Sequence, residues 1–260
     1  MTKEAISTGY VPGGLLRRTF RRLVPRQLRE GVWVALMKTP LVADLIVLAD
    51  PTTRGRRVKR STQLIIEGFP RSGNTYARAA FEHANGLDVP VSSHMHSFRS
   101  IQKGVRRGIP TIALVRAPDK VLGSLLQFNP TYDAAEILKS YRAFHQLLRE
   151  HVDTIVVADF TEVVADFGAV TERVNARYGT SFVPYVKTPE SEEAVFAAVD
   201  AVAMAHEGER FADAVSRPSE ARLRADDVLK GLTEAERLDL AAAETEYHEL
   251  LTASDRGTHL

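Results

Sequence analysis

Along the chain, short apolar runs alternate with longer stretches whose apolar positions recur every three or four residues. The runs Gln63–Glu67, Thr111–Val115 and Thr154–Ala158 are rich in β-branched residues and predict strands, with a shorter strand at Pro90–Ser93. The periodic stretches predict helices at Thr75–Ala84, Arg99–Arg107, Pro118–Phe128, Ala134–His151, Asp166–Tyr178, Glu190–His206 and Ala221–Leu251. The breaks fall where the backbone needs them. Asn85-Gly86 and Gly108 supply left-handed stops, and Pro118 opens a helix at its first turn. Apolar strands separated by helices imply a parallel sheet covered on both faces, hence an α/β fold of three layers. Ligands of such sheets bind at the carboxyl ends of the strands. Three chemically suggestive segments would share that rim: Gly68–Thr75, Arg116 and Asp159.

Charge divides the chain where the pattern begins. Residues 1–60 carry 13 Lys/Arg against 4 Asp/Glu, and residues 61–260 carry 21 against 29. A basic, helical N-terminal arm (1–60) therefore precedes an acidic α/β domain (61–260) with a helical C-terminal region. Apolar Leu16, Phe20, Leu23 and Val24 fall on one helical face of the arm with arginines opposite. That face suits peripheral contact with an anionic membrane, and it suits docking on the body equally well. The apolar stretch Gly31–Ala49 is interrupted by Lys38, Pro40 and Asp44, too broken to span a bilayer. With no cysteine in the chain, disulfides and thiolate chemistry are excluded, and a cytoplasmic setting is the expectation. Sparse aromatics in the arm and the acidic body argue against nucleic acid as a partner.

The segment Gly68-Phe69-Pro70-Arg71-Ser72-Gly73-Asn74-Thr75 follows the first strand and opens a helix. It keeps the glycine spacing of a Walker A loop, but Asn74 stands where that loop needs Lys. Ser72, Gly73, Asn74 and Thr75 would present successive N–H groups at a helix start, where the dipole also favours an anion. Arg71 adds a permanent planar cation. After the third strand, Arg116 precedes Pro118, with Ser124 two helical turns on. The pair reads as the holder of a second, separate anion, or else as a strand-end salt-bridge residue and a helical serine.

Together these two segments resemble the sulfotransferases that use 3′-phosphoadenosine 5′-phosphosulfate (PAPS). The loop is similar to that family's 5′-phosphosulfate loop, and Arg116-Ala117-Pro118 through Ser124 to its 3′-phosphate element. Ala158-Asp159-Phe160-Thr161-Glu162 also fits. The likeness covers residues 62–180 well and 181–230 loosely. It implies sulfuryl transfer to a hydroxyl or amine, PAPS as co-substrate and 3′-phosphoadenosine 5′-phosphate (PAP) as product, with no metal. It explains the missing Walker lysine, since the donor has no γ-phosphate. By the same resemblance Arg71 steadies the bridging oxygen, and Tyr76 takes the place of an adenine-stacking aromatic. A base histidine is implied after the second strand, where His94 and His96 stand, with His96 first by position. An imidazole can accept a proton near neutral pH. The two could otherwise form half of a metal site, but no third ligand is evident.

The family's late 3′-phosphate element is not visible, and Arg217 within Ser216-Arg217-Pro218-Ser219 is the candidate substitute. Two other readings remain. A P-loop kinase would place Asp159 near Mg²⁺, and a catalytically silent nucleotide-binding scaffold would use the arm to hold a partner.

Overall fold

The computed structural model describes residues 56–207 and 227–257. The chain divides into two units, Met1–Arg57 and Val58–Leu260, and nearly all the described residues belong to the second. Residues 1–55 of the expected basic arm, and Arg217, lie outside the described residues.

Four strands form one parallel sheet: β1 (Leu64–Gly68), β2 (Val91–Ser93), β3 (Thr111–Val115) and β4 (Val156–Asp159), in the order β2-β1-β3-β4. β1 is central between β2 and β3, pairing Leu64 with Val91 and Ile65 with Thr111. β3 is buried along its whole length. Burying its Ile112, Leu114 and Val115 side chains stabilises the fold by about 1.5–3 kcal/mol each.

The helices follow in chain order: α1 (Asn74–Asn85), α2 (Phe98–Arg107), α3 (Pro118–Phe128), α4 (Ala134–Arg149), α5 (Phe160–Ala165), α6 (Phe167–Tyr178), α7 (Pro189–Glu207) and α8 (Glu234–Gly257). Alternation along the strands sends side chains to two separate cores. Ile66, Ile112, Leu114, Val156 and Ala158 pack with Tyr76, Phe81, Phe167 and Val195 of α1, α6 and α7. On the opposite face, Ala113, Val115 and Val157 pack with Ile101, Leu122, Leu138 and Tyr247 of α2, α3, α4 and α8. This is the three-layer α/β arrangement expected from the pattern.

Three differences have physical causes. Of the expected helix Ala221–Leu251, residues 221–226 lie outside the described residues, a helical turn covers 227–229, and α8 begins at Glu234. Thr233 and Glu236 close a reciprocal capping box there, Thr233 N–H donating to Glu236 Oε2 at 2.8 Å and Glu236 N–H to Thr233 Oγ1 at 3.3 Å. The short α5 was not anticipated. It starts because Asp159 Oδ1 accepts the Thr161 N–H at 2.8 Å. The sixth helix begins at Phe167, with Asp166 outside it as its cap.

Gly68, at the end of β1, leaves no room for a side chain. A Cβ there would lie 2.4 Å from the Leu114 carbonyl oxygen and 2.9 Å from Leu114 Cβ. The close β1–β3 approach delivers the following loop to the sheet's carboxyl rim.

Candidate functional site

The loop after β1 turns on two left-handed residues, Arg71 (φ 70°) and Gly73 (φ 91°). Gly73 precedes α1, and no side chain caps that helix. The first amides of α1 therefore have no intrahelical acceptor. A Cβ on Gly73 would also meet Phe160 Cδ2 at 3.0 Å, so the loop lies directly on α5. The Ser72 N–H, expected in the anion cradle, instead closes the turn on Phe69 O at 3.2 Å. Its hydroxyl fits the cradle better. Ser72 is fully buried, and its Oγ has no hydrogen-bond partner among the described residues. Such a group costs stability unless something arrives to satisfy it. Asn74 points inward, donating weakly through Nδ2 to Phe69 O at 3.4 Å. It braces the loop from within rather than reaching outward as a lysine would.

The second element comes to the same place. Arg71 Nε donates to Ser124 Oγ at 2.8 Å, and Arg116 Nη1 donates to the Arg71 carbonyl at 2.8 Å. The Arg116 guanidinium lies 4.1 Å over the Phe160 ring, a cation–π contact that fixes its plane. Tyr141 holds the Arg116 carbonyl at 2.7 Å. Two basic groups expected at separate anion sites are thus tied into one knot, with Ser124 bonded to Arg71 rather than paired with Arg116.

The histidines follow β2, and both have left-handed backbones, His94 at φ 62° and His96 at φ 47°. Both ring nitrogens of half-buried His94 are engaged, Nδ1 with Ser93 Oγ at 2.8 Å and Nε2 with Thr75 Oγ1 at 3.1 Å. His94 thereby ties the end of β2 to the first turn of α1. His96 is exposed, and its Nδ1 donates to the Gly68 carbonyl at 3.0 Å. In the neutral ring that assignment leaves Nε2 as the basic nitrogen. The backbone amides of Met95 and His96 donate to Glu67 Oε1 and Oε2 at 2.9 and 3.0 Å. Glu67 is fully buried and was not singled out in the sequence. The one available signal was an acidic residue closing an apolar strand immediately before a glycine.

Two of the expected residues stand in settings that motif order did not suggest. Tyr76 is 3% exposed, with its ring 5.8 Å from that of Phe196 in α7. Burial pushes its hydroxyl pKa well up. In this arrangement the ring packs in the core beside α7. Asp159, the magnesium ligand of the kinase reading, is committed elsewhere. Oδ1 caps α5, and Oδ2 accepts the Tyr247 hydroxyl of α8 at 2.6 Å. Among the described residues no group of three or more His, Asp or Glu gathers as a metal site, and no helix is long and apolar enough to cross a membrane.

The fold and rim bring together two arginines, an uncapped helix start and a histidine at the carboxyl ends of the strands. No protein-family profile matches the chain, and no curated protein matches it in sequence. Among solved structures, it is similar to mouse sulfotransferase SULT7A1 complexed with PAP, at 12% identity and a TM-score of 0.46, over 74% of this chain and 86% of that one. A likeness of that size decides nothing about chemistry, which must be argued from the site.

Proposed function

We propose that the chain is a PAPS-dependent sulfotransferase acting on a hydroxyl or amine acceptor. The observation that carries this reading is the joining of Arg71, Ser124 and Arg116 on one strand-end rim, with the His96 ring anchored on the first residue of the same loop. The unsatisfied Ser72 hydroxyl and the uncapped start of α1 suit the phosphosulfate. Arg116, held flat on Phe160, suits the 3′-phosphate.

Bound PAPS would supply an activated sulfuryl group. Arg71 would stabilise charge on the bridging oxygen electrostatically, because a guanidinium does not give up its proton. His96 Nε2 would take the proton of the acceptor, and exposure of His96 leaves room for one to approach. His94, occupied at both nitrogens, would hold Thr75 in place. The two commitments of the Asp159 carboxylate weigh against a magnesium-dependent kinase. A cytoplasmic setting, with membrane contact through the arm, belongs to the same proposal.

Calorimetric titration with PAP, ADP and ATP, with and without Mg²⁺, tests the donor site. The expected result is Mg²⁺-independent binding of PAP, with ADP at least tenfold weaker because it lacks the 3′-phosphate, a difference of about 1.4 kcal/mol. That preference should disappear in Arg116→Ala. Preferential binding of ATP with Mg²⁺ would overturn the reading in favour of a kinase.

A further inference from the structure

We infer that Glu67 is the positioning residue of the site, setting the orientation and tautomer of the His96 ring. The inference rests on the reading of His96 as the base. Glu67 is 0% exposed, at the penultimate position of β1. Its two oxygens accept two consecutive backbone N–H groups, those of Met95 and His96, at 2.9 and 3.0 Å. Adjacent amides clasping one anion form a backbone nest, and bonds to a charged acceptor are stronger than neutral ones. The backbone they hold is one that L-residues avoid, left-handed at His94 and again at His96.

The effect of the clasp is visible at the ring. His96 Nδ1 comes to 3.0 Å from the carbonyl of Gly68, the residue next to Glu67. Two neighbours on β1 therefore hold one histidine, Glu67 by its backbone and Gly68 by its ring. With a proton on Nδ1, the lone pair sits on Nε2. Glutamine at position 67 keeps the shape but offers only one acceptor oxygen. Its amide NH₂ would face one of the two backbone donors, and the clasp would open.

The test combines spectroscopy with kinetics. A long-range ¹H–¹⁵N spectrum of the wild-type protein at alkaline pH should show His96 protonated at Nδ1. In Glu67→Gln that preference should be lost and kcat should fall by about tenfold to a hundredfold, the scale of a displaced catalytic group. PAP affinity and the donor KM should stay within about twofold, since the two bonds that define the clasp go to the His96 segment. A ring protonated at Nε2 in the wild type, or a variant that keeps both tautomer and kcat, would overturn the assignment. So would a loss of melting temperature with kcat intact, which marks a purely structural carboxylate. Should the variant not fold, amide exchange in the wild type still decides. The Met95 and His96 amides should exchange about a hundredfold more slowly than solvated loop amides, and rapid exchange would refute the clasp. A wild type that binds no PAP would sink the sulfotransferase reading, while tautomer and exchange would still decide whether Glu67 holds the ring.

Discussion

On the proposed function, Arg71→Ala is expected to lower sulfuryl transfer by about 10²–10³-fold, the usual cost of removing one group that stabilises developing charge. The side chain bonds to Ser124 and lies 5.8 Å from the Phe128 ring, outside both cores. The melting temperature should therefore change by only a few degrees, although alanine inherits the left-handed backbone at this position. Arg71→Lys should recover part of the rate, because it keeps the charge and loses the planar fork that meets Ser124. Steady-state kinetics with a synthetic acceptor, alongside PAP titration, separates transfer from binding. A kcat unchanged in Arg71→Ala would remove Arg71 from the chemistry and leave it a loop-bracing residue.

The second large effect is on stability. His145 of α4 is 1% exposed and stacks on Tyr141 with ring centroids 3.8 Å apart. Its Nδ1 donates to the Tyr141 carbonyl at 2.8 Å, and its Nε2 is buried without a hydrogen-bond partner. Burial lowers its pKa from 6.5 to about 4, against the smaller raising effects of the Tyr141 carbonyl and Glu246. Between those two values the unfolded chain binds a proton that the folded chain does not. Stability therefore falls as pH drops through this window, by about 2 kcal/mol between pH 7 and pH 5 and about 3 kcal/mol once pH is below 4. Urea denaturation across that range, wild type against His145→Leu, isolates the contribution from that of the carboxylates. The variant should lose this part of the slope. Parallel slopes would show that the ring is protonated in the folded state.

The parts of this molecule that could be read from sequence are those where one short-range signal suffices. β3 is bounded by Pro110 and Arg116, with Thr111 followed by an apolar run from Ile112 to Val115, so its boundaries match the expectation. The loop from Gly68 to Thr75 declares itself through glycine spacing. Glu67 could not be read this way. Its role depends on β2 lying beside β1, a pairing that only the assembled sheet supplies. The burial of Tyr76 was not legible from its place in the motif, although Ala77, Ala80 and Phe81 put the same face of α1 into the core. α5 has only six residues, too few to show a period. The knot of Arg71, Ser124 and Arg116 spans 53 and 45 residues of sequence, and motif order alone cannot say that the three groups touch.

Among the described residues, the non-glycine positions with positive φ are Arg71, His94 and His96, and all three stand at the site. Each left-handed backbone costs on the order of 1 kcal/mol, which glycine would largely relieve. Glycine would also delete a guanidinium or an imidazole. At Arg71 and His94 it would also break the bonds to Ser124, Ser93 and Thr75, so relief of the backbone comes only with loss of the side chains that build the site. On the proposed function, a screen for a hardier version of this protein needs a turnover assay in the same round, since glycine at these positions relieves the backbone and removes a proposed functional group at once.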